Sequence, residues 1–252
     1  MTNKLKYFIG NWKMFGNSSS FSIVNKINKF AHKNKKRLNS KIVLCPPNTL
    51  INLFYKKLRG NSISLGAQNC HYSEKFGPFT GSVNASMIKK TGAKYLILGH
   101  SENRMEGESN FLIKKKIISA LKQKLNIIFC IGETQKEKNK SKTFFILKKQ
   151  INQSLERNFN KTRIIFAYEP VWAIGTNKIP EIDELKRNIN FIKSEFKNKF
   201  KSKISVKVLY GGSVNPHNIR IFSSILEIDG FLIGGASQSA KKFIEIIKNY
   251  YK

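Results

Sequence analysis

The sequence is poor in cysteine, in acidic residues and in long apolar runs, and each shortage removes a class of protein. Its 252 residues include only Cys45, Cys70 and Cys130, which are far apart and odd in number, with no CxxC spacing. Neither a disulfide framework nor a zinc site can be built from them, and no metal or other cofactor is expected. No apolar run is long enough to span a bilayer, and the stretch from Met1 to Gly10 is too short and too polar to act as a secretory leader. A reducing compartment, the cytoplasm by default, is the resulting expectation, with no membrane partner.

Acidic residues number 15 against 46 lysines and arginines, a formal net charge of +31. An excess of that size raises the reading of a nucleic-acid or anionic-surface binder. The competing reading is a compositional drift toward Lys, Asn, Ile and Phe, as an AT-rich coding sequence produces. The distribution favours drift. Basic residues are scattered in patches such as 33–37, 114–116 and 197–199, mostly in segments that read as helices or helix ends. No zinc-finger spacing or RNA-binding aromatic signature accompanies them. Nucleic acid is therefore not expected as the primary partner, and a barrel scaffold with a secondary nucleic-acid or anionic-surface role stands as the alternative. A positive field would equally attract a phosphorylated small molecule.

What is present is a repeating pattern. Short, continuous apolar runs occur at 7–9, 42–45, 63–65, 95–98, 127–131, 164–167, 206–210 and 230–233. Continuous rather than alternating runs are what strands buried on both faces require. Between them lie stretches of helical periodicity: Phe21, Val24, Ile27 and Phe30; Ile113, Ile117 and Leu121; Leu185, Ile189 and Ile192. Strand and helix alternate about every thirty residues, and no linker or low-complexity tract interrupts them. The expected fold is α/β: a closed (β/α)8 barrel of eight parallel strands with outer helices, one domain over residues 1–252. A doubly wound open sheet is the other arrangement such a pattern allows; the length and the count of eight favour the barrel.

Barrel chemistry gathers where strands end and loops begin. Those ends read Gly10-Asn11-Trp12-Lys13, Gly99-His100-Ser101-Glu102, Ala167-Tyr168-Glu169-Pro170, Tyr210-Gly211-Gly212-Ser213 and Ile233-Gly234-Gly235-Ala236. Lys, His and Glu thus converge on one mouth beside two Gly-Gly loops, an assembly suited to acid/base work on a phosphorylated small molecule. These same stretches, extended to Phe8–Met14, Leu98–Glu102, Ala167–Thr176, Tyr210–Val214 and Asp229–Ser237, resemble the triosephosphate isomerase family in order and spacing along the whole chain.

The resemblance implies interconversion of dihydroxyacetone phosphate and D-glyceraldehyde 3-phosphate by proton transfer through an enediolate, a cofactor-free step of glycolysis and gluconeogenesis. It makes Glu169 the base and His100 the electrophile, acting as a neutral imidazole at a helix start, a tuning already known for that family. Lys13 would supply fixed positive charge, Asn11 would orient the substrate, and Glu102 would position Lys13. Main-chain N–H groups at Gly175, Ser213, Gly234 and Gly235 would hold the phosphate, aided by a short helix start after the eighth strand. Residues 170–178 match the family's mobile lid. The other histidines, His32, His71 and His217, read as structural.

This chain departs from the family in places. Asn177 precedes Lys178 in the lid where Gly is common, and asparagine tolerates left-handed backbone better than most residues. The resemblance also implies a homodimer, in which the third loop, roughly 68–84, is buried beside the other subunit's site with Thr80 near its Asn11 and Lys13. Ser82 and Asn103 stand where the family has a paired Glu and Arg. Losing both charges leaves neither one buried alone, so a dimer is expected to persist. A barrel aldolase using Lys13 as a Schiff base is the remaining enzymatic alternative.

Overall fold

The computed structural model describes residues 4–58, 62–203 and 205–252. The opening three residues of the stretch weighed as a leader lie outside it, as do the ends of the single-domain reading that fall on them. Eight strands form a closed barrel in sequence order: β1 (Lys6–Asn11), β2 (Ser40–Cys45), β3 (Ser64–Ala67), β4 (Tyr95–Leu98), β5 (Asn126–Ile131), β6 (Ile164–Tyr168), β7 (Lys207–Tyr210) and β8 (Gly230–Ile233). All neighbours are parallel, and β1 closes the ring on β8 through the register Phe8↔Phe231. The helices are α1 (Phe21–Lys33), α2 (Asn48–Lys57), α3 (Ala85–Lys90), α4 (Ser101–Met105), α5 (Asn110–Lys122), α6 (Gln135–Asn139), α7 (Thr143–Ser154), α8 (Ile182–Phe200) and α9 (Ala240–Tyr250).

Strand side chains alternate between two apolar layers, as the period of two dictates. Ile9, Val43, Ile97, Ile128, Ile165, Leu209 and Leu232 form one buried cluster inside the barrel. Their neighbours Phe8, Ile42, Leu96, Phe129, Phe166, Val208 and Phe231 belong to a larger cluster that also contains the helical residues Val24, Ile27, Ile113, Ile117, Leu185, Ile189 and Ile192. Continuous apolar runs are therefore needed, because one residue in two packs the barrel and the next packs a helix. Each such side chain contributes about 1.5–3 kcal/mol by leaving water.

Local signals set the helix ends. Asn84, Ser109, Thr134 and Ser239 accept main-chain N–H bonds as N-caps. The long α8 stops at Lys201, whose left-handed φ of 45° turns the chain away. After β7 the repeat departs from a regular helix. Asn215 Oδ1 accepts from His217 N and Asn218 N at 2.9 and 3.0 Å, and only a 3-10 turn, Ile219–Ser224, follows. Side-chain turn bonds of this kind compete with helix propagation. After β8, likewise, the helix start is a 3-10 turn, Gly235–Gln238, ahead of α9.

The barrel end at which the strands begin carries a charge cluster around the buried Asp229. Asp229 pairs with Lys4, Lys193 and Lys207 at 2.6, 2.9 and 3.9 Å and accepts the Val208 N–H at 3.0 Å. Burial alone would push its carboxyl up, but Lys193, Lys4 and the Val208 N–H hold it below the ordinary range. Lys6, almost fully buried beside it, donates to the Ile228 carbonyl. Burial first, then Lys4, lowers its pKa to about 8.

Candidate active site

β1 ends with Asn11, a strand residue and not the start of the loop, so its backbone is fixed by sheet pairing with Cys45. Asn11 Oδ1 then accepts the N–H of Lys13 at 3.1 Å. Lys13 adopts φ 55°, a left-handed backbone that costs a non-glycine residue about 1 kcal/mol. Two glutamines clamp the turn. Gln68 Nε2 donates to the carbonyls of Lys13 and Cys45 at 2.9 and 2.8 Å, and Gln238 Nε2 donates to that of Trp12 at 2.8 Å. The Lys13 ammonium meets Glu102 Oε1 at 2.5 Å.

His100 is the N-cap of α4, and its Nδ1 accepts the main-chain N–H of Glu102 at 3.3 Å. A ring nitrogen that accepts carries no proton, so the neutral ring has its proton on Nε2. That Nε2 lies 3.4 Å from Glu169 Oε1. The other carboxylate oxygen, Oε2, accepts the N–H of Ser101 at 3.3 Å. Both groups are buried, His100 at 5% and Glu169 at 2% exposure. A proton acceptor and a proton donor therefore face the same space with little water around them.

Two glycines make room for Glu169. A Cβ on Gly132 would lie 1.8 Å from the Glu169 carbonyl oxygen, and one on Gly211 would lie 2.7 Å from Glu169 Cγ. Beneath it, Cys130 is fully buried; burial first, then the Glu169 carboxylate, push its thiol well above the ordinary range.

The segment after Glu169 makes a 3-10 turn, Val171–Ala173, and then crosses the mouth. Ser213 Oγ donates to the Ala173 carbonyl at 2.7 Å and accepts from Asn177 N at 3.2 Å. Gly175 and Asn177 have φ of 70° and 59°, so asparagine does supply the left-handed backbone where glycine is the common residue. Trp172 Nε1 donates to Glu133 Oε1 at 2.9 Å, and the Tyr168 hydroxyl donates to Glu133 at 3.1 Å. Glu133 is fully buried, and burial raises its pKa against these hydrogen bonds.

These pieces enclose a cavity of about 250 Å³. Asn11, Lys13, His100, Glu169, Gly175, Ser213, Gly234 and Gly235 all line it; Glu102 lies beside it, against a second hollow shared with Met14 and Gln68. The volume falls below the roughly 300–1,000 Å³ of pockets for drug-sized ligands, which suits a very small substrate. Gln68, Gln238 and Glu133 are the contributors that sequence reasoning missed; Gly211 was read as part of a Gly-Gly loop, without its contact to Glu169. Gln68 follows the third strand, so the strand-end rule could have found it. Among the described residues no cluster of His, Cys, Asp and Glu could hold a metal ion, and no helix is long and apolar enough to cross a membrane. His32 and His71 lie outside the cavity, on Ser62 and Ser73.

A family model described as triosephosphate isomerase matches residues 6–250. The triosephosphate isomerase of Alkaliphilus oremlandii is 38% identical over 244 residues, covering 94% of this chain and 96% of its own. That of Dictyoglomus thermophilum is 38% identical over 252 residues, covering 97% and 99%. A crystal structure of the Bartonella henselae triosephosphate isomerase superposes with a TM-score of 0.88 at 33% identity, covering 98% of this chain and 99% of that one.

Proposed function

Because this chain belongs to the triosephosphate isomerase family, an isomerase that interconverts dihydroxyacetone phosphate and D-glyceraldehyde 3-phosphate, we propose that Glu169 is its base and His100 its electrophile. Glu169 takes a proton from the carbon beside the carbonyl and returns it to the neighbouring carbon. His100 donates from Nε2 to the substrate oxygens as the enediolate forms, and Lys13 and Asn11 stabilise the developing negative charge. Glu102 holds the Lys13 ammonium between turnovers. Main-chain N–H groups of Gly175, Ser213, Gly234 and Gly235 receive the phosphate, and the lid over 170–178 shields the enediolate from water. No cofactor takes part in this scheme.

The observation that carries the assignment is the 3.4 Å approach of Glu169 Oε1 to His100 Nε2 in one buried cavity. A coupled assay on glyceraldehyde 3-phosphate, with the parent beside Glu169→Gln, tests it. Turnover should collapse in the variant, by a thousandfold or more on the scale of acid/base removal combined with lost positioning. A Glu169→Gln variant as fast as the parent overturns the assignment.

The working unit we propose is a homodimer in the cytoplasm, serving glycolysis and gluconeogenesis. Met14, beside Lys13, is fully exposed, and Phe76 in the third loop is 72% exposed. The exposed Met14 on the open hollow beside Lys13, together with an exposed phenylalanine on the third loop, supports the seating of another subunit's third loop, with Thr80, at that hollow.

A further inference from the structure

Trp172 stands where the lid leaves β6, and one short segment grips it from two directions. Glu133 accepts the indole N–H at the ring edge, at 2.9 Å. Further along the same segment, the Lys138 ammonium lies 3.8 Å from the centroid of the ring. Lys138 is well anchored for this task. It sits in α6, whose first turn is locked by the reciprocal capping box of Thr134 and Glu137. Its ammonium also pairs at 2.8 Å with Glu184, in the first turn of α8, the helix that follows the lid. Both partners of that pair are partly buried. An ammonium over an indole is attracted by the negative face of the ring, and indole is the strongest of the aromatic partners.

Lys138 does not line the catalytic cavity, so its charge has no place in the proton transfer. Its contact is with the hinge of the segment that carries Gly175 and Asn177 to the cavity wall. We propose that Lys138 is a positioning residue for the lid: stacked on Trp172 and tethered by Glu184, it favours the lid conformation that completes the cavity and so sets how firmly a phosphate group is retained. This rests on the reading of the cavity as a phosphate site.

The test compares the parent with Lys138→Met, Lys138→Arg, Glu184→Gln and a charge control, Lys136→Met, which alters an exposed lysine of the same helix. Two quantities are read at fixed ionic strength: the inhibition constant of inorganic phosphate against isomerisation, and the tryptophan emission, which comes only from Trp12 and Trp172. Relative to Lys136→Met, Lys138→Met should weaken phosphate inhibition about two- to five-fold, the loss expected of one cation–π contact acting on a conformational equilibrium. Its KM should rise more than its kcat changes, and its emission should shift. Lys138→Arg should stay near the parent, because a guanidinium also stacks, and Glu184→Gln should move phosphate inhibition in the same direction by a smaller factor. Equal inhibition constants in Lys138→Met and Lys136→Met, or an arginine variant as weak as the methionine one, overturn the latch while leaving the phosphate site standing. A parent that phosphate does not inhibit overturns the phosphate reading and the latch together.

Discussion

Replacing Lys6 by methionine removes an ammonium that the fold holds at a cost. Lys6 is 2% exposed, and burial together with the facing ammonium groups of Lys4, Lys193 and Lys207 outweighs the attraction of Asp229. The Tyr250 ring, 5.7 Å from Nζ, adds a weak attraction. The gap between an ordinary pKa of 10.5 and about 8 corresponds to about 3 kcal/mol between the two protonation states. Between pH 8 and 10.5 the unfolded chain keeps a proton on Lys6 that the folded chain has released, so this group makes stability rise with pH across that window. Below pH 8 both states are charged and the full cost is present. Methionine has no proton to lose. The stability of Lys6→Met relative to the parent should therefore be highest near pH 7 and should fall by about 3 kcal/mol by pH 10.5, or roughly 6–12 °C in melting midpoint for a chain of this size. Thermal melts followed by circular dichroism, with parent and variant side by side at each pH, read the Lys6 contribution together with its coupling to Lys4, Lys193, Lys207 and Asp229, while every more distant titrating group cancels. A difference between the two melting curves that stays constant from pH 7 to 10.5 refutes the reasoning.

Three more perturbations bear on the site and the assembly. Gly211→Ala, which drives a methyl against Glu169 Cγ at 2.7 Å, should lower kcat by roughly a hundredfold through displacement of the base while the melting midpoint hardly moves; an unchanged kcat would show that the base has slack. Gln68→Met strips donors from the Lys13 and Cys45 carbonyls and should lower kcat/KM about thirtyfold, at about 1 kcal/mol for each of the two bonds. Gln68→Glu should fail to restore it, since a carboxylate cannot donate, and recovery with Glu would refute the clamp. Finally, subunits of charge +31 repel one another with screening over about 8 Å at physiological ionic strength, so sedimentation should show tighter dimers on adding salt; dissociation by salt would refute that ordering of forces.

The strands were legible because burial on both faces forces continuous apolar runs; the run at 230–233 coincides with β8, and that at 127–131 falls one residue short of the start of β5. Boundaries moved where pairing, not composition, decides. Asn11 is polar yet completes β1 opposite Cys45, and β3 runs on through Gly66 and Ala67, past the apolar run that ended at Leu65. In the site, Asn11, Lys13, His100 and Glu169 were readable from strand-end position and from the family resemblance. The left-handed turn at Lys13 was not, because a lysine gives no sign of positive φ; only Gln68 and Gln238, distant in sequence, reveal how it is held. Glu133 was missed, and Gly211 was read only as part of a Gly-Gly loop, for the same reason, since a buried acid under a tryptophan and a glycine against Glu169 acquire meaning only through contacts made in three dimensions.

The closeness of Gly132 to the Glu169 carbonyl, which leaves no space for even a methyl group, divides the work of the molecule. The backbone at Glu169 is packed directly against the barrel wall, its N–H bonded to the Ile131 carbonyl at 2.8 Å. The lid is tied down by single hydrogen bonds and one stacked ammonium. On the proposed mechanism, mutating the lid would change how well the chamber is sealed, and widening Gly132 would shift the carboxylate that handles the proton.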